Sequence, residues 1–245
     1  MVILFKVLKN ERVRKITSEY LVPKFLFFKN IFFQSMPISI SICGYALAAA
    51  IIFTYVGQSG EYAVAGYGVG TRIEQVVLLP ILGINTAIIS IIAQNYGADN
   101  LVRIKETYFT AIKYAFIIMI TAGTLVFLSA SVITSFFSSD PEVIEYGKRY
   151  LKISAFVLPA YPVFFLSNGF FMALKKSENA MISNFFRNVL NPIAVFYIAK
   201  YINASFETFF WLWVGINWFF SISYFFIIIY YFKLKLNKSS TVVHP

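Results

Sequence analysis

The stretch VVLLPILGINTAIISIIA, Val76 to Ala93, is eighteen residues without a charge, and its reading decides the fold. An α-helix rises 1.5 Å per residue, so this run carries the chain across most of a hydrocarbon layer about 30 Å thick. Four more uncharged runs of comparable or greater length follow the same logic: 30–60, 114–137, 153–174 and 208–232. A sixth, near 179–199, is interrupted by Arg187 and inserts only if that side chain faces protein. Residues that are 59% hydrophobic and 13% charged over 245 positions are not those of a water-soluble domain. The expected fold is all-α and membrane-embedded, with six helices over about 30–56, 63–94, 107–137, 141–174, 179–200 and 206–232.

The net charge of +10 raises the question of nucleic acid, and its placement answers it. With the N-terminus inside, the inner segments hold Lys6, Lys9, Arg12, Arg14, Lys15, Lys24, Lys29, Arg103, Lys105, Lys113, Lys175, Lys176, Lys233, Lys235 and Lys238. The outer segments hold Lys148, Arg149, Lys152 and Lys200. This asymmetry follows the positive-inside rule and predicts both ends in the cytoplasm, with membrane lipid and no nucleic acid as partner. Met1–Phe5 is too short for a signal-peptide core. Cys43 is the single cysteine and His244 the single histidine, so the sequence offers no disulfide and no zinc cluster. No enzyme active site and no cofactor are expected.

Asp140-Pro141 reads as a helix start, with Asp140 as cap and Pro141 in the first turn. Aromatic residues near the span ends suggest an interfacial belt: Tyr55, Tyr96, Tyr108, Phe136, Phe137, Tyr150, Tyr201, Phe209, Phe210, Tyr230 and Tyr231. Pro37, Pro80, Pro159, Pro162 and Pro192 fall inside predicted spans, where each removes a backbone hydrogen bond and bends or loosens its helix.

Polar groups in hydrocarbon must face a partner or a water-filled cavity. At 100° per residue, Gln34, Ser41 and Tyr45 share one stripe of the first helix, and Glu74, Ile81 and Asn85 one of the second. Tyr161 and Asn168 share a face of the fourth, and Asn184, Arg187, Asn188 and Asn191 a stripe of the fifth. Two readings stand: a solvated cleft, or amides that tie helices together. Arg72 and Glu74, about 200° apart, cannot readily pair. Glu74 is the only acid placed deep in a span and is the candidate for proton or cation handling. Gly66-Tyr67-Gly68-Val69-Gly70 has neither the preceding strand nor the spacing of a phosphate loop. Close helix packing or a flexible helix start explains it better.

The tract Gly66-Tyr67-Gly68-Val69-Gly70-Thr71-Arg72-Ile73-Glu74, then Leu78-Leu79-Pro80, then Gln94-Asn95-Tyr96-Gly97-Ala98-Asp99-Asn100, resembles the multidrug and toxic-compound extrusion (MATE) family. So does Phe136-Phe137-Ser138-Ser139-Asp140-Pro141-Glu142-Val143 leading to Tyr150-Leu151-Lys152-Ile153. The resemblance implies one lobe of a twelve-helix, two-lobe transporter, its C-terminal half. Residues 1–29 would then be a basic cytoplasmic inter-lobe linker, 30–232 the six-helix lobe and 233–245 a cytoplasmic tail. It further implies plasma-membrane antiport of amphipathic or cationic organic compounds against protons or sodium ions, with an N-terminal six-helix lobe as partner. A cavity lined by Gln34, Ser41, Tyr45, Asn85, Tyr161, Asn168, Arg187, Asn188 and Asn191 is expected, with Glu74 and Arg72 as candidate coupling groups. Tyr45 stands eight residues after Pro37, where one branch carries an acid, and Ile153–Leu174 lacks the acid some members carry in helix ten. The alternatives are a non-transporting remnant or scaffold left by truncation, and a lipid-linked glycan flippase of the same superfamily. The flippase needs a more cationic cavity than Arg72 and Arg187 supply.

Overall fold

The computed structural model describes the backbone of residues 25–240, with side chains from Cys43 to Leu234 and at a few positions before. It divides into two compact units, residues 1–40 and 41–245; only the opening of one helix is described in the first. The described residues form helices and no strand: α1 (Phe25–Gly57), α2 (Glu61–Gly97), α3 (Leu101–Ser135), α4 (Pro141–Ser154), α5 (Tyr161–Ala173), α6 (Ser177–Phe185), α7 (Asn191–Tyr201) and α8 (Phe206–Ser240). A short 3₁₀ turn, Leu158–Ala160, joins α4 to α5, and a π-turn, Phe186–Leu190, joins α6 to α7. The described residues thus make six helical rods, two of them broken.

Four rods are long and apolar enough to cross a membrane: Glu61–Gly97, Leu101–Ser135, Pro141–Ala173 and Phe206–Leu234. They carry outward rows such as Leu125, Leu128 and Val132, which water would not tolerate and lipid does. The described part of α1 is a shorter apolar helix, Cys43–Gly57. The expected bounds differ from those observed by up to eight residues: α3 begins at Leu101 instead of 107. α1 begins at Phe25 instead of 30, and α8 continues past 232 to Ser240, through what composition marks as the tail.

Several helix ends have a local reason. Asn100 accepts from the Arg103 amide at 3.0 Å to open α3, and Asp140 accepts from the Glu142 amide at 2.9 Å to open α4. Asp99, Lys175 and Asn203 take positive φ at the turns after α2, α5 and α7. The fourth rod breaks where Pro159 and Pro162 withhold their amides. α8 takes up carbonyls there: Trp218 Nε1 donates to Phe156 O at 2.8 Å, and Ser221 Oγ to Ala160 O at 3.1 Å. Pro192 follows the π-turn, whereas Pro80 leaves α2 unbroken. α1 also runs unbroken through position 37.

α2 lies against α3, α4 and α5, and α8 against α4, α5 and α7. The α2–α4 seam is made by glycine. A Cβ on Gly66 would stand 2.7 Å from the Gly147 amide nitrogen and 2.8 Å from Val143 O. A Cβ on Gly70 would overlap the Tyr150 ring, while Gly68 between them faces open space. The glycine tract is therefore a small-xxx-small packing face and not a loop.

The aromatic belt of the sequence reading is half right. Phe136, Phe137, Tyr201 and Tyr230 are exposed at rod ends, but Tyr55, Tyr108, Tyr150, Phe209 and Phe210 are buried. Tyr55 stacks on Phe209 at 4.1 Å and donates to Ala204 O at 2.6 Å. Tyr108 bonds the Ser167 hydroxyl at 2.6 Å. Position along the chain places an aromatic ring near an interface, but the rotation of its helix decides whether it faces lipid.

Candidate substrate cavity and the Glu74 cluster

Glu74 lies one turn after Gly70 on α2. Because residue 70 has no side chain, the Tyr150 ring of α4 can lie against α2, and its hydroxyl donates to Glu74 Oε2. Tyr161, at the start of α5 beyond the break in the rod, donates to Glu74 Oε1 at 2.5 Å. Each carboxylate oxygen thus accepts from one tyrosine. Hydroxyl donors can hold an acid within the bilayer without a neighbouring cation. Tyr67 meets Tyr150 edge-on at 4.9 Å and stacks with Phe210 at 5.4 Å, closing an aromatic layer beside the acid.

The cluster forms one wall of a cavity of about 530 Å³. Of the sequence-expected residues, Tyr45, Glu74, Tyr161, Arg187 and Asn188 line it. Reasoning from sequence did not reach Tyr67, Thr71, Gln75, Tyr150, Phe165 and Trp213, which line it too. The signal for the α2 residues was present. Tyr67, Thr71, Glu74, Gln75, Leu78 and Leu82 recur at helical spacing, and all six face the cavity. The stripe drawn through Glu74, Ile81 and Asn85 steps by seven and then by four, and its later members face the core. Ile81 is fully buried there.

The other expected residues fall elsewhere. Asn85 lies outside the lining, with its Oδ1 buried and unpartnered and crowding Gly169. Asn168 is buried and ties three rods together: it donates to Asn184 Oδ1 at 3.3 Å and accepts from Tyr224 Oη at 3.3 Å. Here the tying-amide reading of the polar stripe describes the geometry. Asn191 is 1% exposed, and both of its amide atoms lack a hydrogen-bond partner. Arg72 is exposed on the opposite side of α2 and takes no part in the Glu74 cluster. The side chains of Gln34 and Ser41 lie outside the described residues.

Arg187, on the π-turn, is held by aromatic faces. Its guanidinium carbon lies 4.1 Å from the Phe164 ring centroid, 4.9 Å from Tyr161 and 5.6 Å from Phe165. Its Nε donates to Asn217 Oδ1 of α8 at 3.2 Å, a partner the sequence reading did not identify. The three ion pairs among the described residues, Lys148–Glu145, Arg149–Glu145 and Arg149–Glu207, all gather at the start of α4 and include neither Arg187 nor Glu74.

The MatE family model matches residues 37–197, more than half of the chain. This chain belongs to the MATE family. Among curated relatives it is 25% identical over 158 residues to the FAD transporter of Shewanella oneidensis, covering 64% of this chain and 35% of that one. It is 26% identical over 164 residues to the probable multidrug resistance protein YpnP of Bacillus subtilis, covering 67% and 34%. The multidrug export protein MepA of Staphylococcus haemolyticus is 25% identical over 154 residues, with 63% and 34% covered. The fold is that of solved MATE-type transporters. A MOP superfamily transporter from Pyrococcus furiosus superposes with a TM-score of 0.82 at 20% identity, covering 96% of this chain and 53% of that one. An outward-facing multidrug resistance MATE family transporter gives 0.77 at 21% identity, with the same coverage. The chain spans about a third of the length of the curated relatives it matches and about half of the solved chains.

Proposed function

We propose that this chain is the C-terminal half of a MATE-type secondary efflux transporter that exports amphipathic or cationic organic compounds in exchange for protons or sodium ions. The observation that carries the reading is the Glu74 carboxylate, held by the Tyr150 and Tyr161 hydroxyls in an aromatic cavity wall of a membrane-embedded fold. An acid at that depth is costly and rare outside ion and substrate pathways, and it can take up a proton or cation in exchange for the substrate. In this reading six rods cross the plasma membrane, with both ends in the cytoplasm. Residues 1–29 link to an N-terminal six-helix lobe and 233–245 form a tail. Tyr45, Tyr161, Arg187 and Asn188 face the opposite half.

The test is ethidium flux in proteoliposomes holding this chain together with an N-terminal MATE lobe, under imposed proton and sodium gradients. Gradient-driven flux that needs both lobes and falls at least about tenfold in Glu74→Gln is expected. No flux with both lobes present, or flux indifferent to Glu74→Gln, would overturn the reading. No flux would also favour a non-transporting remnant.

A further inference from the structure

We infer that the cavity holds a separate anion-taking subsite at Arg187, so that the amphipathic compounds it takes include ones that carry one acidic group on an aromatic body. The inference deepens the proposed function and rests on its reading of the cavity as the substrate's path.

Arg187 lines the cavity, yet none of the ion pairs among the described residues reaches it. Phe164, Tyr161 and Phe165 present their rings to the guanidinium at 4.1, 4.9 and 5.6 Å. Such faces satisfy a cation through the π-cloud but accept no in-plane hydrogen bond. The group carries five N–H donors in a rigid fork, and the Nε donor is taken by Asn217 Oδ1 at 3.2 Å. That bond fixes the stem of the fork. Tyr161 engages the guanidinium through its hydroxyl as well as its ring, and the remaining terminal N–H donors are the place where a planar or tetrahedral oxyanion binds.

The acid and the base of the cavity are kept apart by Tyr161. Its hydroxyl serves Glu74 at 2.5 Å while its ring lies under Arg187, so Glu74 does not neutralise the guanidinium by direct contact. One cavity therefore presents two opposite charges on either side of a tyrosine ring, with Phe165, Tyr67 and Trp213 supplying apolar walls. A single guanidinium matches one acidic group and not a diphosphate, because Arg72 lies outside the cavity.

Riboflavin and its 5′-phosphate test this directly, since they share the ring system and differ in one phosphate. Binding to the full chain in phosphatidylcholine nanodiscs is read from flavin fluorescence. The phosphate should bind at least about tenfold more tightly than riboflavin. Arg187→Gln should abolish that preference, weakening binding of the phosphate at least about tenfold more than that of riboflavin. Arg187→Lys, which keeps the charge and loses the fork, should retain part of it and shows that substitution at this position is compatible with folding. Equal affinity for the two flavins, or a preference that survives Arg187→Gln, would overturn the subsite while leaving the cavity reading intact. Failure of both flavins and of ethidium to bind would overturn the cavity reading and the subsite together. A preference abolished by adding phosphatidylglycerol to the nanodiscs would assign Arg187 to lipid headgroups and overturn the inference.

Discussion

The α2–α4 seam and the α6–π–α7 rod make opposite uses of a helix. Along the seam, Gly66 and Gly147 bring two backbones into contact, and Gly70 lets Tyr150 lie flat and reach Glu74. Along the rod, no residue of the π-turn is buried, Arg187 rests on ring faces, and Asn191 is buried without a partner for either amide atom. The seam is closed and satisfied, while the rod is widened and underpaired. π-turns and unpaired buried amides are both costly, and they persist where a ligand or a change of shape requires them. The seam is thus the frame of the lobe, and the rod is the side on which its chemistry varies.

The largest expected effect breaks the frame. Gly66→Leu drives a side chain into the backbone of α4 and should destabilise the lobe by about 3 kcal/mol or more, read as thermal melting in detergent. Gly68→Ala, facing open space in the same tract, should be neutral or gain about 0.5 kcal/mol. Equal melting of the two variants would remove the distinction between seam and surface. Tyr161→Phe keeps the ring under Arg187 and deletes one donor to the carboxylate, which should cost about 2 kcal/mol in the same assay. An unchanged melting temperature would show that Glu74 does not depend on that hydroxyl.

The rod should respond in the other direction. Asn191→Leu removes two unpaired polar atoms at nearly constant volume and should stabilise the lobe by about 1 kcal/mol. Destabilisation by that change would mean the amide has a partner in the assembled protein, and the rod would lose its underpaired character. The smallest effect belongs to the surface. Glu207→Gln takes away the exposed Arg149 pairing at 3.1 Å, and solvent screening should hold the loss below about 0.5 kcal/mol, shrinking further in high salt.

Much of the lobe was legible in the chain because membrane helices announce themselves locally. Uncharged runs, the Asp140-Pro141 start and the paired prolines each act within a few residues, and each lies where the sequence placed it. The candidate site was legible only in part. Glu74 and Arg187 stood out because charge in hydrocarbon is rare. Tyr150 did not, because a tyrosine near the end of an apolar run looks the same whether it faces lipid or an acid. Asn85 and Asn168 were grouped with the cavity because an amide on a polar stripe does not say whether its partner is a ligand or another helix.

The sequence alone determined that the chain is helical and membrane-embedded, roughly where its helices run, and that Arg72, Glu74 and Arg187 fall within them. These follow from the cost of burying charge and from backbone rules that operate residue by residue. Only the tertiary structure decided that Tyr150 and Tyr161 hold Glu74, that Arg72 points away, and that Arg187 rests on Phe164 instead of an acid. Those outcomes depend on how far each helix is rotated against its neighbour. That rotation is fixed by contacts between distant residues, such as the close approach of Gly66 to Gly147, which no local pattern records.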